Sequence, residues 1–227
     1  TLLDSRKNLP PGFIEWVRNH KEIKTVIASG RQYYSLKKIF QPIADDLIFA
    51  AENGGLIFEK EEILYINEML SQDVERCLKY IDGIPDTTPI LCGAKAAYIR
   101  STKSYVKDNA DIYYGRLYVE EDLYSCIKKD RIVKIAVFAA KRAEEIIDQL
   151  PDMGDNLMAV LSGDSRIDIS NNTVNKGTAI RAIQERMGIS EEQSMAFGDY
   201  LNDYELLQNC GESYAMENAH PRLKQIA

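Results

Sequence analysis

The chain has 227 residues, with 28 basic and 35 acidic side chains, a formal net charge of −7, and 45% hydrophobic against 28% charged residues. This is ordinary globular composition, enough for one large domain or two small ones, and it excludes a disordered chain. The acidic balance, with no Lys/Arg run longer than a pair, argues against a general nucleic-acid or anionic-membrane binder.

In chain order, Pro10-Pro11 predicts a helix running to about His20, with Phe13, Ile14 and Val17 at helical spacing. Lys24 to Ala28 reads as a strand, Gln32 to Ala44 as a helix, and Leu47 to Ala51 as a second apolar strand stopped by Glu52-Asn53-Gly54-Gly55. Leu56-Ile57-Phe58 and Leu64-Tyr65-Ile66 form the arms of a hairpin. Apolar strands alternating with helices predict an α/β class with a doubly wound parallel sheet.

The middle changes style. A helix is expected over Asp73–Ile81, then strands near Pro89–Cys92 and Ala96–Arg100, and helical stretches around Ser104–Ala110 and Glu121–Lys128. A strand at Ile132–Ala139, a helix at Lys141–Leu150 and a hairpin of Leu157–Leu161 with Arg166–Ile169 complete an α+β pattern, read as an inserted domain. The end returns to α/β: an amphipathic helix Lys176–Met187, strands Ser194–Phe197 and Ser213–Met216, a helix Asp203–Asn209, and a last helix from Pro221. The domains expected are residues 1–69 and 166–227 as one core, with 70–165 inserted.

No apolar stretch reaches the ~20 residues of a membrane helix, and no signal-peptide core opens the chain. Cys77, Cys92, Cys126 and Cys210 lack C-x-x-C spacing, so free thiols and a cytoplasmic location are expected. His20 and His220 read as a helix end and a turn rather than catalytic groups. Tyr33-Tyr34, Tyr113-Tyr114 and Tyr118 read as packing residues, and Asp45-Asp46 as a solvated turn.

Three polar clusters sit where strands or loops give way to helices, the place where doubly wound sheets bind ligands. In Ser29-Gly30-Arg31 a hydroxyl and exposed amides suit a phosphate oxygen, although a helix cap and turn would read the same. In Lys176-Gly177-Thr178 a lysine opposes the helix macrodipole, which neutralising a phosphate or carboxylates would justify; a solvated surface lysine is the alternative. In Gly198-Asp199-Tyr200-Leu201-Asn202-Asp203 two carboxylates four residues apart can face one hard cation such as Mg²⁺, or can simply cap a helix. Neither G-x-G-x-x-G after a strand, nor a P-loop, nor a G-x-S-x-G elbow occurs.

Together these segments resemble the haloacid-dehalogenase-like (HAD) phosphatases, specifically the Cof-type group with an inserted α/β cap. The resemblance rests on Thr1-Leu2-Leu3-Asp4-Ser5, Val26-Ile27-Ala28-Ser29-Gly30-Arg31, Glu52-Asn53-Gly54, Lys176-Gly177-Thr178-Ala179, Ala196 to Asp203 and Ala215 to Pro221, in order and at matching spacing. It implies that Ser29 and Lys176 serve catalysis and that Ser29, Gly30, Arg31, Asn53 and Asn202 surround the phosphate. Asp199 and Asp203 would hold Mg²⁺, the second through water. The family reaction is attack by an aspartate on phosphorus, then hydrolysis of the aspartyl-phosphate. The implied activity is a Mg²⁺-dependent phosphatase for a small phosphorylated metabolite, by default a sugar phosphate, with neither nucleic acid nor membrane as partner.

The sequence departs from the family at its start. Thr1 matches only the last letter of the D-x-D-G-T motif, so the nucleophile and the general acid/base would lie four and two residues before it, and Asp4 falls after the motif. A trimmed piece without turnover of its own is therefore expected. A regulatory phospho-ligand binder with a decayed motif is the alternative, and a nucleotide-binding domain a third. Tyr98, Arg100 and Arg116 are the polar residues of the insert considered for the substrate.

Overall fold

The computed structural model describes all residues except 5, 7, 101–103, 141, 152, 163 and 164. The expectations touching Ser5 and Lys141 lie outside the described residues. In chain order the elements are α1 (Phe13–Asn19), β1 (Thr25–Ala28), α2 (Tyr33–Ile39), β2 (Leu47–Ala51), β3 (Leu56–Glu59), β4 (Glu62–Ile66), α3 (Ser71–Ile81), β5 (Thr88–Gly93) and β6 (Ala97–Ile99). They continue with α4 (Ser104–Tyr113), β7 (Leu117–Val119), α5 (Leu123–Lys129), β8 (Ile132–Phe138), α6 (Ala143–Ile147), β9 (Leu157–Leu161), β10 (Arg166–Asn171), α7 (Lys176–Met187), β11 (Met195–Gly198), α8 (Tyr204–Gln208) and β12 (Glu212–Ala215).

The chain sorts into two compact units, one of residues 1–30, 39–65 and 174–227, the other of 31–38 and 66–173. In the first, β1 pairs in parallel with β2, β2 pairs antiparallel with β3, and the sheet order is β1-β2-β3-β4. A separate parallel pair, β11-β12, carries the later strands. The parallel pairs agree with the α/β expectation, and β3 lies beside β4 in the sheet, as the hairpin of Leu56–Phe58 with Leu64–Ile66 required. α7 lays Ala179 and Ile183 against Ile48, Ala50 and Ile57, with Ile180 and Met187 at the margin. A second cluster of Ala196, Leu206, Leu207, Ala219 and Leu223 anchors α8 and the C-terminal turns beside β11.

Several predicted helices come out shorter, and one comes out as turns. The one over Gln32–Ala44 ends at Ile39, and Pro42 opens a 3₁₀ turn over Gln41–Asp46, because proline lacks the N–H that would continue an α-helix. Residues from Pro221 form successive turns, with Leu223 donating to His220 and Ile226 to Leu223 rather than building a helix.

The second unit is a six-stranded sheet of order β7-β6-β5-β8-β10-β9. β6 and β7 run parallel, and the other described pairs are antiparallel. One face packs on α3, α5 and α6 through Val74, Leu78, Leu123, Ile135, Ile146 and Ile167. In α3 the buried Val74, Cys77, Leu78 and Ile81 follow the helical period that made this element legible. The other face packs Ile90, Ala97, Ile99 and Ala136 against Val106 and Ala110 of α4.

The second compact unit covers residues 66–173, around the insert expected at 70–165. β10 pairs with β8 and β9, so the second unit runs on to Thr173. Residues 31–38 also belong to it. Gln32 exchanges two hydrogen bonds with the backbone of Arg116 (3.0 and 2.9 Å), and Ser35 Oγ donates to the Tyr113 carbonyl at 2.6 Å. The Arg116 guanidinium lies 3.7 Å from the Tyr34 ring centre.

Candidate active site

All the site residues expected from the sequence except Arg31 fall within the first unit. Ser29 and Gly30 follow β1, where the Ser29 amide donates to Ala50 of β2 at 2.9 Å. The Ser29 carbonyl accepts from the Asn53 amide at 3.0 Å, tying the ends of β1 and β2 together. Asn53 sits in the left-handed region (φ 56°, ψ 25°), a conformation Asn tolerates better than most residues. Its side-chain Oδ1 accepts a hydrogen bond from Asn202 Nδ2 at 3.2 Å. Gly54, at φ +98°, lets this turn press on α7, where a Cβ would stand 2.5 Å from the Asn175 carbonyl.

Asn175 caps α7, its Oδ1 accepting from the Thr178 amide at 2.7 Å. The next residue, Lys176, is buried, with Nζ 2.5 Å from Asp203 Oδ1. A solvated surface lysine is therefore ruled out, and Asp203 answers the macrodipole objection raised by its position. Asp203 Oδ2 accepts from the backbone amides of Asp199 (3.0 Å) and Tyr200 (3.3 Å). Both oxygens of this carboxylate are thus engaged by the protein, which shapes the loop after β11 around it.

Asp199 is half-buried, and its Oδ1 accepts from the Thr1 hydroxyl. As for a Mg²⁺ ion, Asp199 offers a hard carboxylate oxygen of the kind that ion takes in small number, keeping its other positions for water and phosphate. Asp203 is occupied by Lys176 and two amides, so it fits such an ion only at one remove. Among the described residues no group of three His, Cys, Asp or Glu side chains could hold a metal.

Arg31 sorts with the second unit. Asp4 closes a small loop, accepting from the amides of Arg6 and Asn8, both at 2.8 Å. Tyr98 donates to buried Asp130 at 3.0 Å, Arg100 pairs with Asp82, and Arg116 stacks on Tyr34, so all three have partners within the insert. His20 ends α1 against the Trp16 carbonyl, and His220 Nδ1 accepts from the Arg222 amide. Sequence reasoning missed that Asn53 meets Asn202, 149 residues away, and no local signal carries that pairing.

Over residues 1–227 the sequence matches the family model described as haloacid dehalogenase-like hydrolase. It is 31% identical over 203 residues to the 5-amino-6-(5-phospho-D-ribitylamino)uracil phosphatase YbjI of Escherichia coli K12, an alignment covering 87% of this chain and 73% of that protein. It is 24% identical over 233 residues to phosphatase YwpJ of Bacillus subtilis, covering 90% of this chain and 81% of that one. TM0651 from Thermotoga maritima has the same fold, with a TM-score of 0.89 at 21% identity over 100% of this chain and 86% of the other. With the ordered motifs, the converging loops and the family match in agreement, the chain belongs to the haloacid dehalogenase-like hydrolases.

Proposed function

We propose that this protein is a Mg²⁺-dependent phosphatase of small phosphorylated metabolites, by default sugar phosphates, working through an aspartyl-phosphate. The observation that carries the reading is the buried Lys176–Asp203 pair, with Asp203 following in sequence the Asn202 that contacts Asn53; this supports a cation and amide donors at the strand ends. The ribityl phosphate in the name of the Escherichia coli relative supports a small phosphate ester as substrate class.

In this reading the Ser29 hydroxyl, the Gly30 amide and Asn202 Nδ2 donate to phosphoryl oxygens. Lys176, held by Asp203, offsets charge on the phosphoryl group as the bond to the leaving oxygen breaks. Asp199 holds Mg²⁺, which when bound supplies the second positive charge a carboxylate nucleophile needs to approach an anionic ester. The nucleophile implied by the family motif is assigned to no residue of 1–227, and the Asp4 loop contacts agree with leaving Asp4 out of that role.

The test is a phosphate-ester panel assayed with the full-length protein, with and without chelator. Hydrolysis that depends on Mg²⁺ and falls at least about a hundredfold in Lys176→Ala is expected. Hydrolysis that survives both Lys176→Ala and chelation overturns the reading. Orthophosphate binding without hydrolysis, in a protein whose gene lacks the aspartate pair, favours a regulatory binder instead.

A further inference from the structure

The geometry points to Asn53 as a positioning residue that sets the orientation of the Asn202 amide, rather than as a phosphate ligand; the inference rests on the phosphatase reading above. An asparagine side chain can turn either its NH₂ or its carbonyl oxygen toward a ligand, and only the NH₂ favours an anion. Asn53 Oδ1, an acceptor, takes one N–H of Asn202 Nδ2 at 3.2 Å. That bond draws the NH₂ end of Asn202 inward and leaves its second N–H for a phosphoryl oxygen. Among the described residues, this acceptor is what selects NH₂ over carbonyl on this side.

Asn53 is itself over-determined. Its amide donates to the Ser29 carbonyl at 3.0 Å, its backbone is left-handed, and the missing side chain of Gly30 makes room for its amide group. A Cβ on Gly30 would stand 2.9 Å from Asn53 Oδ1, the same atom that holds Asn202. One residue, through its backbone amide and its side chain, therefore registers the loop after β1 with the loop after β11. Asn202 is exposed, so without that contact its rotamer is left to water.

The experiment has two readouts. The first is the Asn202 side-chain amide resonance of the ¹⁵N-labelled, ligand-free protein, assigned through Asn202→Asp. The second is orthophosphate affinity by calorimetry in the presence of Mg²⁺. Asn53→Gly keeps the left-handed backbone and removes the acceptor, whereas Asn53→Asp keeps an oxygen acceptor. An Asn202 NH₂ resonance shifted by its hydrogen bond is expected in the parent and in Asn53→Asp, and loss of that shift in Asn53→Gly.

Orthophosphate should bind about threefold to tenfold more weakly to Asn53→Gly, the scale of one neutral hydrogen bond. Asn53→Gly/Asn202→Ala should bind no more weakly than Asn202→Ala alone, since Asn53 acts through Asn202. An unchanged Asn202 resonance in Asn53→Gly, or losses that add in the double variant, overturns the inference. If neither Lys176→Met nor Asn202→Ala weakens orthophosphate binding, the phosphatase reading fails instead, and the Asn202 resonance still decides the contact with Asn53.

Discussion

Replacing Lys176 by methionine removes a charge while keeping the length and most of the apolar stem. The side chains of Lys176 and Asp203 are only 7% and 5% exposed, so the variant leaves a buried carboxylate with no cation opposite Oδ1. Breaking a buried ion pair from one side costs about 3–5 kcal/mol. The two amides on Oδ2 remain in the variant, which places the expected loss at the lower end, about 3 kcal/mol. For a chain of this size that lowers the melting temperature by about 6–12 °C.

Trp16, the single tryptophan, lies in the same unit and stacks on His20, so its fluorescence reports urea unfolding of the part that holds the site. Adding Asp203→Asn to Lys176→Met neutralises the stranded carboxylate while keeping an oxygen for the amides. The double variant should regain about 1 kcal/mol or more over Lys176→Met alone. A loss under about 1 kcal/mol in Lys176→Met, or a double variant less stable than Lys176→Met, refutes the view that this pair is a coupled, desolvated unit.

Gly54→Ala should destabilise by about 2–4 kcal/mol in urea titrations, since alanine resists φ +98° and its methyl meets the Asn175 backbone. Gly30→Ala should cost little stability, because the colliding atom is the end of the Asn53 side chain, yet it should weaken orthophosphate binding. In the insert, the Arg100 hydrogen bond holds the Asp82 carboxyl below its usual range. A depressed folded pKa adds stability above the unfolded carboxylate pKa of about 3.9 and loses it as pH falls through the folded value. The gap of about 1 kcal/mol between parent and Arg100→Met, measured by urea unfolding, should thus be full above about pH 5 and shrink toward pH 3. Burial, with a smaller contribution from Glu191, pushes the Cys210 thiol to about 11, so its labelling by a disulfide reagent should be slow at neutral pH and accelerate about tenfold per pH unit below that value.

The alternation of elements and the presence of an insert were legible in the chain of residues, because apolar periodicity and turn chemistry are local properties. Val74, Cys77, Leu78 and Ile81 declare one helix face wherever the chain is cut, and Asn53-Gly54 announces a turn in any context. The strand-end clusters were legible for the same reason, since each is a short contiguous string. Local signals failed where a distant partner decides the outcome. Nothing near Gln32 announces that its amide will bind the backbone of Arg116, 84 residues on, and so carry residues 31–38 into the insert's unit. Lys176 likewise reads in sequence as a plausible surface side chain, and only the arrival of Asp203 from another loop makes burying its charge tolerable. Burial, ion pairing and the facing of one amide by another depend on which loops the sheet brings together, and that is a property of the tertiary structure alone.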